Sequence, residues 1–440
     1  MNDMKDSGIP WIGEIPENWD IMKTLYVLDM PITDGPHETP VLYDDGIPFI
    51  SAESIADGYI NFNAKRGYIS QQYYDECCKK YKPQKLDIYM VKSGATTGKV
   101  AIVETNEIFT IWSPLAVFRA DIEKILPYYL FYFIQSEAYL KQVSTRWSYG
   151  TQQNIGMRVL ESLKVCVPSL IEQQRIADFL DEKCGEIDGI VAKIQREIEM
   201  LKQYKQSVIS EAVTKGIRHD VQMKNSGIDY IGNIPENWRI IKIKYIATNL
   251  SKGNGITKED IVVDGDIPCV RYGEIYSQYN YSFKKCLTRT NLTRISSPQY
   301  FSYGDVLFAG TGELVEEIGK CIVYLGNEEC LAGGDIVLLK HNQIPIYLGY
   351  ALNSRYIQIQ KSVGKAKLKV VHISARNIGN IRLLLPPLPE QREIAAYLDQ
   401  KCAAIDSIIS AKEKQLQTLD AYKKSLIYEY VTGKKRVPTA

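Results

Sequence analysis

The sequence predicts an α+β protein: two similar mixed α/β domains separated by two long helices packed as an antiparallel coiled coil, the halves related by a pseudo-twofold internal repeat. Three observations carry this expectation. The stretch Ser7–Trp19 returns as Ser226–Trp238, and about 21 of 47 residues are identical between Pro168–Thr214 and Pro386–Thr432 without a gap, far beyond chance at one fixed offset. Each of these later segments carries an apolar seam at coiled-coil spacing. Between the repeated pieces lie short β-type runs broken by turn residues, which differ strongly between the halves.

Along the chain the repeat implies a first domain over 1–165, a first helix over 166–216, a second domain over 217–383, a second helix over 384–434 and a basic tail over 435–440. Within the domains, Ala101-Ile102-Val103, Leu115–Phe118, Cys321–Tyr324 and Asp335–Leu339 read as strands, and helical periodicity is confined to Ile125–Val143 and Ile344–Val363. Weak echoes pair Gly46–Ile50 with Asp266–Val270, and Leu86–Met90 with Gly304–Phe308. The two domains are therefore expected to share a fold and differ in surface.

The helices begin at recognisable signals. Ser169 and Glu172 have the spacing of a capping box, in which hydroxyl and carboxylate satisfy the free amides of a helix start. In the second copy Pro386, Pro387 and Pro389 precede or enter a first turn, where a missing amide does no harm. Ile187, Val191, Ile194, Ile198, Leu201 and Val208 then recur at alternating four- and three-residue steps, with Lys205 interrupting the row. The second helix keeps Ile405, Ile409, Leu416, Leu419 and Leu426 but places Lys412 in its seam. A charged seam position costs stability and tends to fix register. Each run of about 45 residues would extend roughly 65 Å if straight. Two such seams pack most economically on each other, with the two variable domains held apart.

Several function classes are disfavoured. No apolar run reaches membrane-spanning length, and Met1–Asp6 lacks the order of a signal peptide, which implies a cytoplasmic protein without a membrane partner. Nine cysteines, single apart from the neighbours Cys77-Cys78 and without CxxC spacing, and four histidines support neither a disulfide framework nor a zinc site. Ser93–Val100 resembles a phosphate-binding loop, but it lacks one residue between the glycines and has Val100 where Ser or Thr would bind magnesium. The only Pro-Pro pair, Pro386-Pro387, follows Leu385 and precedes Leu388, so the Asn/Asp-Pro-Pro-aromatic grip of an amino-methyltransferase is absent. No catalytic or metal-binding residue can be nominated.

Thirty tyrosines, many beside cations or amides, point toward nucleic acid. The clusters that carry this chemistry include Lys79, Lys80 and Lys82 around Tyr81; Arg146, Tyr149, Gln152 and Gln153; and Lys365, Lys367 and Lys369, joined by His372. Arg, Lys, Gln and Asn match base edges, while Lys and Tyr suit phosphates. The same clusters also fit solvated loops. A net charge of +1 is low for a lone DNA binder, so phosphate contacts are expected to be local and partly supplied by a partner.

At this point the repeated frame, the Gly304–Phe308 run, and Pro386-Pro387-Leu388-Pro389-Glu390-Gln391 followed by Ile394, Leu398 and Asp399 resemble the specificity subunit of type I restriction-modification enzymes. The first copy, Val167–Gln173, has one proline where the second has three. The resemblance implies two target-recognition domains on double-stranded DNA, each reading half of a split asymmetric site, with the paired helices setting the gap. It also implies two modification (methyltransferase) subunits and restriction subunits as partners. S-adenosylmethionine, ATP and Mg would belong to those partners, and none to this non-catalytic chain. The residue pattern leaves two rivals: a nuclease or methyltransferase with an unrecognised site, and a coiled-coil adaptor that touches only proteins.

Overall fold

The computed structural model describes residues 3–438 apart from Asp57, Trp147, 150–152, His219, 313–314 and 364–370. It divides into two compact units, one of residues 1–194 with 413–440 and one of residues 195–412. Each unit therefore draws on both long helices, Leu170–Lys215 and Leu388–Val431.

In the first unit a four-stranded antiparallel sheet runs in the order Thr33–Asp34, Leu115–Phe118, Ile88–Val91, Val100–Ile102. Its central strands are apolar at every position because both faces are covered. Ile88 and Met90 join the core beneath the helices, while Tyr89 and Val91 point to the opposite core, as the two-residue alternation of a strand requires. A three-stranded sheet of Gly67–Ile69, Ile47–Ile50 and Thr110–Ile111 stands beside it.

The second unit repeats this plan. A five-stranded sheet follows the order Ala247–Lys252, Ile336–His341, Val306–Ala309, Cys321–Tyr324, Ser282–Phe283, and a four-stranded sheet is built around Ile267–Val270. Val306 and Phe308 face one core, Leu307 and Ala309 the other. The strand echoes seen in the sequence occupy matching places.

Each expected helical run inside the domains is broken into two helices, Pro127–Gln135 with Glu137–Ser144, and Pro345–Leu352 with Arg355–Ser362. The break falls at Ser136 and Ser354, both extended. Their hydroxyls donate to the carbonyls of Phe133 and Ala351, offering the chain a local alternative to helix continuation. Apolar periodicity survives across such a break, which is why the sequence reads as continuous.

The repeated pieces are joined by matched polar pins. Trp19 Nε1 donates to Glu172 at 3.0 Å in the first unit, and Trp238 Nε1 donates to Glu390 at 2.9 Å in the second. The capping box is thus only half realised: Ser169 Oγ accepts from the Glu172 amide at 3.3 Å, but the Glu172 carboxylate serves Trp19. Tyr132 donates to Asp181 and Tyr350 to Asp399, at 2.6 and 2.8 Å.

The two long helices pack together and run antiparallel. Within the second unit Glu197 meets Lys412, and Lys205 lies 2.6 Å from Asp406, so numbers rise along one helix as they fall along the other. Within the first unit Asp188 lies 2.7 Å from Lys423. Ile187, Ile194, Ile198, Ile405 and Ile409 are buried, and Val191, Leu201, Leu416 and Leu419 are partly buried. Both charged seam lysines, Lys205 and Lys412, are answered by a carboxylate from the opposite helix. Pairs of this partly exposed kind contribute little energy, but they penalise a shifted register.

Candidate nucleic-acid interface

Each unit carries the same exposed rim, and a glycine marks its centre. A Cβ on Gly35 would lie 2.1 Å from the Ile111 carbonyl oxygen, and one on Gly253 would lie 2.1 Å from that of Gly333. No side chain fits at either place. The residues just before them, Asp34 and Lys252, are consequently fixed at the end of an edge strand. Beside them the central strand ends at Val91 in one unit and Ala309 in the other. The chain then pairs with the last loop of the domain, Ser93 bridging Asn154 and Thr311 pairing with His372.

The rim of the first unit is built on ion pairs. Asp34 is buried and is met by Lys80, by Lys92 at 3.2 Å and by His37 at 3.1 Å. Burial pushes its carboxyl up, but Lys80 and Lys92 outweigh that and leave it below the ordinary value. Alongside, Arg66 stacks on Trp112 at 3.9 Å, and Trp112 Nε1 donates to the Glu38 carbonyl at 3.1 Å.

In the second unit the rim opens into a groove of about 1180 Å³ lined by Lys252, Asn254, Thr257, Lys258, Tyr272 and Gln278 among others. A smaller cavity of about 360 Å³ adjoins it at Thr311, Asp335 and His372. Lys252 lies 3.6 Å from Asp335. Arg271 is spent on Glu274, which accepts from its guanidinium at 3.0 and 3.1 Å.

Lys79 and Lys80 do not sit in a loop; they occupy the last turn of the helix Gln71–Lys80, where positive charge is favoured by the helix dipole. Lys79 pairs with Glu76 and Lys80 with Asp34. Lys82 is exposed beside Arg119, which donates to its carbonyl at 3.1 Å. Arg146 is exposed and donates to Ser162 at 3.1 Å. Tyr149 and Gln153 belong to a two-stranded ribbon, Ser148–Tyr149 with Gln153–Asn154. His372 is exposed and its Nδ1 lies 3.0 Å from Thr311 Oγ1. Gln152, Lys365, Lys367 and Lys369 lie outside the described residues.

The fold therefore brings Lys80 and Lys92 together on Asp34, and joins the next residues to the ribbon's second strand, Ser93 bridging Asn154 and the Ile155 amide donating to the Lys92 carbonyl at 2.9 Å. Sequence reasoning missed Asp34, Lys92 and Lys252. A signal existed: Asp34-Gly35 and Lys252-Gly253 stand at the same spacing as Pro168 and Pro386. Among the described residues no three His, Cys, Asp or Glu side chains converge as a metal site would need. No described helix is long and apolar enough to cross a membrane.

Comparison with known proteins gives a consistent result. Residues 39–200 and 235–418 match the family described as type I restriction modification DNA specificity domain. Over 97% of its length the chain is 28% identical to the putative type I restriction enzyme MjaX specificity subunit of Methanocaldococcus jannaschii, covering 96% of that protein. It is 23% identical to the type I restriction enzyme EcoKI specificity subunit of Escherichia coli K12, covering 96% of this chain and 90% of that protein. In structure it resembles a chain from a study of complex assembly and conformational transition of the type I R-M system, with a TM-score of 0.69 at 16% identity and 96% and 99% of the two chains covered. At that identity the likeness speaks to the fold alone.

Proposed function

Because the chain belongs to the type I restriction modification DNA specificity domain family, we propose that it is the sequence-reading subunit of such a complex, each rim reading one half of a split asymmetric DNA site. The observation that carries this reading is the pattern of likeness between the units. Pins such as Trp19–Glu172 and Trp238–Glu390 are kept, while the residues beside the rim glycines change from Asp34 to Lys252. A frame repeated under surfaces that diverge is what two readers of different half-sites require. Linking two weak readers in one chain raises affinity through effective concentration, with each bidentate base contact worth about 1–3 kcal/mol of discrimination.

Partner docking fits the same scheme. The first unit exposes Ile190 (48%) and Tyr422 (56%), and the second exposes Ile408 (47%) and Tyr204 (56%). These four are two identical residues in equivalent positions of the repeat, kept at matching exposure where no core needs them. We assign one such patch per unit to a modification subunit, giving two copies of that partner, with restriction subunits joining the assembly. S-adenosylmethionine, ATP and Mg are assigned to those subunits, and this cytoplasmic chain acts without a catalytic group of its own. Lys80, Lys82, Arg146, Tyr149, Gln152, Gln153, Lys365, Lys367, Lys369 and His372 remain the nominated DNA contacts, together with the exposed face around Lys79.

The test is to map methylated adenines in genomic DNA exposed to the assembled complex. Two short fixed sequences separated by an unread gap are expected. One continuous motif, or the same motif when this chain is replaced by another specificity subunit, would contradict the proposal.

A further inference from the structure

Asp34 is almost wholly withdrawn from solvent, with 1% of its side chain exposed, and its basic partners fan outward from it: Lys92 at 12%, Lys80 at 50% and His37 at 70%. Lys80 Nζ donates to Oδ1 and reaches the Gly35 carbonyl at 3.5 Å. Oδ2 touches Lys92 and His37 at 3.2 and 3.1 Å but accepts no aligned hydrogen bond. An ammonium group has three donors, so one carboxylate cannot satisfy two lysines. Ammonium donors are left over on the solvent side.

A single lysine would neutralise Asp34. A second, mostly buried one adds a desolvation cost that a further anion would offset. The position of Lys92 is set by its own backbone, whose amide donates to the Pro114 carbonyl at 2.7 Å and whose carbonyl accepts from Ile155. Asp34 is set by the glycine that follows it. The neighbouring Glu38 carboxylate, held below the ordinary value by its own backbone amide and by Tyr73 Oη at 2.9 Å, also lies within the field of His37 and Lys80.

We propose that Asp34 presents Lys80, Lys92 and His37 as a clamp for one backbone phosphate of the DNA half-site bound by the first domain, an inference that rests on the DNA-reading function proposed above. The carboxylate is a positioning residue, and the two ammonium groups and the imidazole make the contact. In the second domain the equivalent position is Lys252, 69% exposed, so the clamp belongs to the first domain alone. Phosphate contacts fix register and carry no direct sequence information. Loss of the clamp should weaken binding without changing the sequence preferred.

The test uses the full chain assembled with its modification subunits, and a duplex carrying the site that the complex methylates. Single neutral methylphosphonate linkages are walked across the first half-site. Wild type should lose about tenfold in affinity at one linkage, the scale of a charged hydrogen bond. Lys80→Ala should lose a similar amount on the unmodified duplex and nothing further at that linkage. Its slope of log affinity against log salt should become shallower by about 0.9, and Lys80→Arg should restore both. If a thermal melt shows Lys80→Ala to be unfolded, Lys92→Ala reports on the same linkage. Salt slopes unchanged in both variants, with the wild-type pattern of linkage losses retained, would overturn the clamp while leaving DNA reading intact. A wild-type complex that does not prefer its methylated site over random duplex would remove both.

Discussion

In the first unit the residue before the close-packed rim glycine is a buried carboxylate ringed by Lys80, Lys92 and His37; in the second it is Lys252, exposed and 3.6 Å from Asp335. Beneath both positions the strands alternate between two cores in the same way, and the same tryptophan–glutamate pin closes the unit. The difference separates two kinds of constraint. Residues pinned into the core cannot vary without loss of the fold, whereas the rim is held by backbone contacts that leave its side chains free to change sign. A pair of readers can thus diverge in chemistry while sharing one scaffold.

The strongest way to break the equivalence is at the tryptophan pins. Trp19 and Trp238 are 1% and 0% exposed, and truncating such a side chain costs about 3–5 kcal/mol. Trp19→Ala and Trp238→Ala should each lower one unfolding transition by that scale, and the two costs should agree to within about 1 kcal/mol. Scanning calorimetry of the full chain reads both, since two units need not melt as one. A large loss for one substitution and a small loss for the other would show that the pins are alike only in geometry.

A smaller effect should distinguish the units by pH. His341, in the second unit, is partly buried; burial pushes its pKa down to about 4, and its buried Nε2 has no hydrogen-bond partner among the described residues. The unfolded chain, with an ordinary value near 6.5, binds the proton more readily. Stability from this group is therefore full above about pH 6.5 and is lost as the pH falls toward 4, by up to ~3 kcal/mol. The transition of the second unit should drop more than that of the first between pH 7 and 5, and His341→Gln should remove the excess. An excess that survives in His341→Gln would place its cause elsewhere.

The parts of this architecture legible in the sequence are those carried by periodicity and repetition. The helix seams and strands such as Leu115–Phe118 and Cys321–Tyr324 follow from apolar spacing, whereas Gly46–Ile50 with Asp266–Val270, and Leu86–Met90 with Gly304–Phe308, are legible only as echoes between the halves. Polar pins are not periodic. Glu172 reads as a cap residue because its true partner, Trp19, lies 153 positions away. Asp34 before Gly35 reads as an ordinary turn, since nothing local reveals that the glycine abuts the Ile111 carbonyl or that Lys80 and Lys92 converge there. Lys79 and Lys80 were legible as a basic cluster but not as the end of a helix, because the tyrosines and cysteines of Gln71–Lys80 give it a weak apolar stripe. Of the nominated contacts, Lys80 lies on the rim and His372 beside the smaller cavity, while Lys79 is paired with Glu76 on its own helix.

The central claim, that the two units read DNA independently on a common frame, is tested most directly by exchanging residues of about 20–160 for the first variable region of another family member. The methylated sites of the hybrid complex are then sequenced. One half of the recognised sequence should change to that of the donor, with the other half and the gap between them retained. A hybrid that folds and methylates but shows changes in both halves would contradict independent reading.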